Sequence, residues 1–285
     1  VKIPKRLQPL ADDGVIDEVI SRLMSGKEAD IFIVRCGDQI RCAKVYKDAA
    51  KRSFKKAAQY QEGRRVRSGR QARAMGKNSS YGRKQQEEIW QNAEIDALSR
   101  LAAAQVRVPE TYGCFDGVLI MELVTDGAGD VAPRLADVTM SEEQAIEDHA
   151  FMMHSIMLML CAGIVHGDLS EFNVLVDDYG PVIIDLPQAV NAAANNNAQE
   201  MLARDVNNMR RYYGEFCPAL LQTQYAKEMW SLFEEGNLTP ETRLSGVFDD
   251  DGESADVDSV LEEIKAVMQE EQERQERLRE ANEKE

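Results

Sequence analysis

Asp168, Asn173 and Asp185 are oxygen-bearing side chains spaced so that one small hairpin could gather them. The first two stand in Gly163-Ile-Val-His-Gly-Asp-Leu-Ser-Glu-Phe-Asn173, a loop of polar and turn residues preceded by an apolar helix (Met152 to Met159). Val174-Leu-Val reads as a strand and Asp177-Asp-Tyr-Gly-Pro181 as a turn. Val182-Ile-Ile returns as a second strand that delivers Asp185. The spacing His-x-Asp-x-x-x-x-Asn, then a strand ending in Asp, is the one used by phosphoryl-transfer enzymes of the kinase class. In that chemistry one Asp takes or orients the nucleophile's proton. The Asn and the second Asp supply the oxygen ligands that a hard divalent cation prefers. Single Asp residues in turns are mostly solvated or capping, but three such groups between apolar strands favour catalysis.

A phosphate site needs a cation and a close backbone approach, and both have candidates. Cys42-Ala-Lys-Val-Tyr46 places Lys44 in the middle of an apolar strand, where a lysine is costly unless paired. Its expected partner is Glu94, near the apolar side of a helix over Gln85 to Leu101; Glu87 and Glu88 compete for the role but read as solvated first-turn acids. Ser25-Gly26-Lys27 enters the hairpin formed by Ile31 to Val34 and Ile40 to Val45. Small residues there let N–H groups and the Ser hydroxyl approach phosphates. Taken alone this is a weak signal, and a plain turn explains it equally well. Val118-Leu-Ile-Met-Glu-Leu-Val124, followed by Gly127 and Gly129, fits a connector between lobes. Backbone groups of Glu122 and Val124 would bond an adenine there, with Met121 lining the back of the pocket. An ordinary buried strand would use the same residues.

The rest of the chain must hold these groups in place. Its 285 residues suit one large or two small domains, and 44% hydrophobic content supplies a core. No apolar run reaches membrane-spanning length and no leader pattern opens the chain, so no membrane association is expected. Cys36, Cys42, Cys114, Cys161 and Cys217 show neither pairing nor metal-type spacing, which suits a reduced, cytoplasmic setting. Val15, Ile16, Val19, Ile20 and Leu23 recur at helical spacing, so a helix capped by Asp12-Asp13 is expected there. Ser141 should cap a helix reaching Met159, with Glu143 or Gln144 completing a capping box. On that helix His149 reads as solvated and His154 as packed or capping; His166 reads as a brace of the catalytic loop. Further helices are expected over Ala198 to Tyr213 and Pro218 to Phe233, and Asp205 on the former is a candidate to bond the catalytic-loop backbone.

The net charge of −16 conceals an asymmetry. Lys47 to Lys84 carries thirteen Lys/Arg against two acids, whereas Asp249 to Glu285 carries fifteen acids against five bases. Such blocks face partners or solvent and do not decide fold. The basic segment is rich in Gly, Ser and Arg and too long for an ordinary loop, so a flexible insertion is expected. With Tyr60 and Tyr81 available for stacking, it could bind RNA, a ribosomal surface or an acidic partner. The last residues read as an acidic linker and a helical or solvated tail.

Ser25-Gly-Lys-Glu-Ala29, His166-Gly-Asp-Leu-Ser-Glu-Phe-Asn173 and Ile184-Asp-Leu-Pro-Gln188 together resemble the RIO family of atypical protein kinases, in a bacterial form. The likeness runs from about Gly14 to Tyr213 and includes Arg204-Asp205, Asn208 and Tyr212-Tyr213. The catalytic stretch alone would also suit aminoglycoside-type phosphotransferases, but the other two motifs favour RIO. What the resemblance implies is an α+β, bilobal protein-kinase-like fold, with a small β-rich N-lobe and a helical C-lobe. It also implies ATP with Mg²⁺ or Mn²⁺, and Ser/Thr phosphorylation of a protein substrate or of itself, or ATPase activity. Carried over by motif, Asp168 is the base, Asn173 and Asp185 the metal ligands, Lys44 the phosphate lysine and Ser25 a phosphate contact. Asp185 is in addition a candidate for phosphorylation as an intermediate. The resemblance places a flexible loop near the nucleotide, with Ser68, Ser79 and Ser80 as candidate autophosphorylation sites.

The divisions expected are an arm (1–13), an N-lobe (14–123) with its basic insertion (47–84), a C-lobe (124–248) and an acidic tail (249–285). Two departures bear on the substrate. Leu186-Pro187 stands where Phe-Gly would be, and no Ala-Pro-Glu follows the Ala/Asn-rich Asn191 to Asn197. A peptide-docking platform is therefore not implied. ATP hydrolysis, self-phosphorylation, a small-molecule acceptor and an ATP-gated RNA assembly role stay open beside an ordinary protein substrate.

Overall fold

The structure is a computed structural model that describes residues 3–26, 29–47 and 93–248. The chain divides into a unit of Val1–Val247 and a second of Phe248–Glu285, and of the second only Phe248 is described. Lys27, most of the basic segment, Glu87, Glu88 and the acidic tail lie outside the described residues.

Five antiparallel strands form the N-lobe sheet in the order β1-β2-β3-β5-β4, with β1 Glu18–Ser25, β2 Ala29–Cys36, β3 Gln39–Tyr46, β4 Thr111–Phe115 and β5 Val118–Glu122. Alternation along β2 and β3 sends Ile31, Cys42 and Lys44 to the inner face and Phe32, Val34, Ala43 and Val45 to the outer one. Helix α1 (Gln8–Asp12) covers the outer face, with Leu7 and Leu10 buried beside Ile16 and Val19. Helix α2, over 93–103, joins Leu98 and Leu101 to the inner-face core.

The expected helix over Val15 to Leu23 is therefore a strand. Its β-branched residues suit a pleated surface better than a helix. Bulges between Val19 and Ser21 and between Arg22 and Met24 break strict alternation, which is why a two-residue period was not visible. Asp13 does not open a helix; it closes α1, donating its N–H to Pro9 and Ala11 carbonyls.

The C-lobe is helical. Helix α3 (Glu142–Cys161) starts at Ser141, whose hydroxyl accepts the Gln144 N–H, and buries Met152, Met153, Ile156, Met157 and Leu160. Gln144 also donates its side-chain N–H to Asp148 Oδ1 at 2.9 Å. After it come β6 (Ile164–Val165), the ribbon β7 (Val174–Asp177) with β8 (Gly180–Ile183), β9 (Val190–Asn191) paired to β6, and α4 (Ala198–Gly214). The two histidine expectations on α3 are reversed. His149 is 1% exposed, between the rings of Tyr213 and Tyr225, and His154 is exposed. The helix expected over Pro218 to Phe233 is also two pieces, a 3-10 turn (Pro218–Gln222) and α5 (Tyr225–Glu234). Thr223 parts them, its hydroxyl donating to Leu220 O while the Gln224 N–H turns to Gly246 O. Among the described residues no helix is long and apolar enough to cross a membrane, and none of the five cysteines is in a disulfide.

Candidate active site

Lys44 is one of the few charged groups in the N-lobe interior, 6% exposed on β3 between Ile31 and Leu119 of the neighbouring strands. Its Nζ donates to Glu94 Oε1 at 2.6 Å and to Asp185 Oδ1 at 2.7 Å. Burial opposes the ammonium charge, but Asp185 and Glu94 outweigh it and hold the Lys44 pKa well above the ordinary lysine value. Glu94, 2% exposed on α2, accepts a second hydrogen bond from the Tyr46 hydroxyl. Tyr46 lies two residues beyond Lys44, hence on the same face of the strand. Its phenol pKa is pushed far up by burial and by Glu94, so it stays a donor.

Asp185 reaches this cluster from the end of the β7–β8 ribbon. It takes a left-handed backbone, φ 65°, a conformation that non-glycine residues hold only where the surroundings enforce it. The Ile184 N–H donates to the Asn173 carbonyl at 3.0 Å, which sets Asn173 and Asp185 side by side at the open end of the ribbon. His166 braces the junction as the sequence suggested. Its Nε2 is 3.1 Å from Ile184 O, and its Nδ1 accepts the Asp168 N–H at 3.3 Å. Asp168 is exposed, and its carbonyl accepts the Asn173 Nδ2–H at 2.8 Å.

Helix α4 fixes the loop from behind. Asp205 accepts the N–H groups of Gly167 (2.7 Å) and Leu169 (2.9 Å), Asn208 donates to Leu169 O, and Arg204 donates to Gly167 O. Burial pushes the Asp205 carboxyl up to about 7, against the pull of its two N–H donors. Gly167 adopts φ 83°, which the tight passage between His166 and Asp168 requires.

A cavity of about 730 Å³ opens above Lys44 and Asp185. Met24, Met121, Glu122, Val124, Phe172 and Leu175 are among the residues that line it. The Glu122 N–H is committed to Glu110 O and the Val124 carbonyl to Ala132 N–H, while Glu110 spends its own N–H on the Glu122 carboxylate. Ser25 sits at the end of β1 with its hydroxyl donating to Asp30 at 2.7 Å, and Lys47 donates to Gly26 O at 2.6 Å.

The fold thus brings together Lys44, Glu94, Asp185 and Asn173, and Met121, Glu122 and Val124 line the same cavity. Asp168 adjoins it through the contact of its carbonyl with Asn173, and neither Asp168 nor Ser25 is among the lining residues. Sequence reasoning missed Tyr46, Arg134 and Asp137 as members of this neighbourhood. Tyr46 was findable from its two-residue offset from Lys44; Arg134 and Asp137 carried no local signal.

A five-stranded sheet over a helical lobe, with a Lys–Glu pair facing an Asp across the cleft, is the protein-kinase-like architecture. Within it, a family model described as RIO domain matches residues 30–226. The chain is 33% identical over 209 residues to the RIO-type serine/threonine-protein kinase Rio1 of Haloferax volcanii, covering 72% of this chain and 66% of that protein. It is 32% identical over 200 residues to Rio1 of Methanocaldococcus jannaschii, covering 70% and 63%. With human serine/threonine-protein kinase RIO1 the identity is 28% over 232 residues, covering 80% and 38%. The chain belongs to the RIO domain family. It spans between about a third and two thirds of the length of these relatives.

Proposed function

We propose that this chain transfers the terminal phosphoryl group of ATP with the help of a divalent cation, acting as an atypical serine/threonine protein kinase on a protein or on itself. The observation that carries the reading is Lys44, held by Glu94 and facing Asp185 at the base of the cavity. Its volume suits a small-molecule cofactor or substrate. The Glu122 carbonyl and the Val124 N–H are the backbone pair left for an adenine edge, and Met121 forms the back wall. Lys44 would neutralise the inner phosphates, with Ser25 and Lys27 at the outer ones.

The donor set suits a hard cation. Asn173 uses its amide N–H on Asp168 O, which leaves its oxygen as a ligand, and the Asp185 side chain is 45% exposed to the cleft. Among the described residues no cluster of three His, Cys, Asp or Glu could hold a metal by itself. The Asn173 and Asp185 oxygens would hold a cation together with phosphate oxygens, as Mg²⁺ or Mn²⁺ is commonly held. A cation there would offset charge on the phosphates. Asp168 takes the proton of the acceptor hydroxyl as its oxygen bonds to the γ-phosphorus and the bond to the ADP oxygen breaks.

Self-phosphorylation or ATP hydrolysis draws support from one further feature. Residues 192–197 are all that join β9 to α4, a turn pinned by the Asn191 side chain, so an extended peptide platform has no room there. An RNA, ribosomal or acidic partner for Lys47 to Lys84 rests on charge alone.

The purified chain should be incubated with γ-labelled ATP, Mg²⁺ or Mn²⁺ and a cell lysate. Label on protein, lost in Asp185→Ala and reduced about 10²- to 10⁴-fold in Asp168→Asn, supports the reading. Turnover retained in the folded Asp185→Ala protein would sink it. Label on a metabolite would move the chain to the small-molecule kinases.

A further inference from the structure

Arg107 lies outside the cavity, in the connection between α2 and β4. Its guanidinium makes two parallel hydrogen bonds to the Asp177 carboxylate, Nη1 to Oδ1 at 2.9 Å and Nη2 to Oδ2 at 2.6 Å. Nη1 also donates to Gly180 O at 2.9 Å, and the Arg107 carbonyl accepts the Ile183 N–H at 2.9 Å. One residue therefore grips the β7–β8 ribbon at its turn and again two residues before Asp185.

The ribbon needs this grip. It has only four residue pairs, Val174 with Ile183 through Asp177 with Gly180, and an isolated two-stranded ribbon is marginal in water. Val176 and Pro181 face each other as a non-hydrogen-bonded pair, and the Val176 N–H points away from the ribbon to Pro133 O, so this edge, like Ile183 beside Arg107, is held from outside the ribbon. Yet Asn173 immediately precedes the first strand and Asp185 follows the second. A slip of one residue would turn both away from the cleft.

We propose that Arg107 is a positioning residue for the metal donors Asn173 and Asp185. It fixes the register of the ribbon from outside the cleft. The segment that carries it continues from the helix of Glu94, so the lysine's partner and the metal donors are aligned by one piece of chain. Lysine cannot replace it, because the grip on Asp177 is bidentate. This inference rests on the phosphoryl-transfer reading of the cleft.

The test uses the full chain saturated with the non-hydrolysable analogue AMP-PNP, with Mn²⁺ binding followed by electron paramagnetic resonance. AMP-PNP affinity without metal and the melting curve are measured alongside. Arg107→Gln, Arg107→Lys and Asp177→Asn should each weaken Mn²⁺ binding roughly tenfold, the usual effect of removing a group that orients a metal ligand. Metal-free AMP-PNP affinity should stay at the wild-type value, and Arg107→Gln with Asp177→Asn should be no weaker than either alone. If Arg107→Gln does not fold, the other two carry the test. Unchanged Mn²⁺ affinity in folded variants, or an equal loss of metal-free AMP-PNP binding, overturns the assignment. If the wild-type chain itself shows no AMP-PNP-dependent Mn²⁺ binding, the phosphoryl-transfer reading fails and this one with it.

Discussion

The Lys44 ammonium lies 2.7 Å from Asp185 and 2.6 Å from Glu94, so one buried cation joins the two halves of the cleft. Its two contacts are not equivalent. Glu94 is as buried as the lysine, whereas nearly half of the Asp185 side chain faces the cavity. A nucleotide and cation would compete for Asp185 and leave the Glu94 contact in place.

Lys44→Met should therefore abolish phosphoryl transfer and also destabilise the fold, because Glu94 is left as a buried charge. The expected loss is about 3–5 kcal/mol, read from chemical denaturation. In Lys44→Met combined with Glu94→Gln much of that loss should be recovered, with activity still absent.

Tyr46→Phe removes the hydroxyl that donates to Glu94 and leaves the Lys44 contact with Glu94 in place. A buried carboxylate deprived of one partner should cost about 1–3 kcal/mol. The melting temperature falls, and the KM for ATP rises if Glu94 also loosens its hold on Lys44.

Asp205 must be ionised to accept both loop N–H groups, yet burial raises its pKa to about 7. For an acid raised in the folded state, folding favours the protonated form. Stability from this group is thus fully present below the usual aspartate value near 3.8 and is lost as pH rises through 7. Loop order runs the opposite way, so kcat should fall below pH 7. Asp205→Asn, with one oxygen for two donors, should lower kcat at every pH and remove that limb.

His149 is lowered to about 4 by burial and by Arg210. A base depressed in the folded state stabilises above its unfolded value, and that stability is lost as pH falls from 6.5 towards 4. Denaturation at pH 7.5 and 4.5 should differ by roughly 2–3 kcal/mol on this account. His149→Phe should flatten the dependence.

The proposed site was legible because its motifs combine local spacing with an energetic anomaly. Asp168, Asn173 and Asp185 followed from a hairpin signal, and Lys44 from a lysine among apolar strand residues. Glu94 was separable from Glu87 and Glu88 by its place on the apolar side of a helix. What stayed hidden depends on contacts remote in sequence. The phase of α3 about the core decided which of His149 and His154 was buried. The bulges of β1 disguised a strand as a helix, and the link from Thr223 and Gln224 to Gly246 broke a helix that periodicity ran through. Arg107 finds Asp177 seventy residues away, a pairing no local pattern announces.

The α1 arm and β1 precede residue 30, where the family match begins, yet β1 is a strand of the N-lobe sheet and α1 covers that sheet's outer face. A fragment trimmed to 30–226 would strip the cover from Phe32, Val34 and Val45 and leave β2 as a bare edge with unpaired amides. Such a fragment should self-associate through that edge, so the smallest well-behaved version of this domain must begin upstream of Leu7.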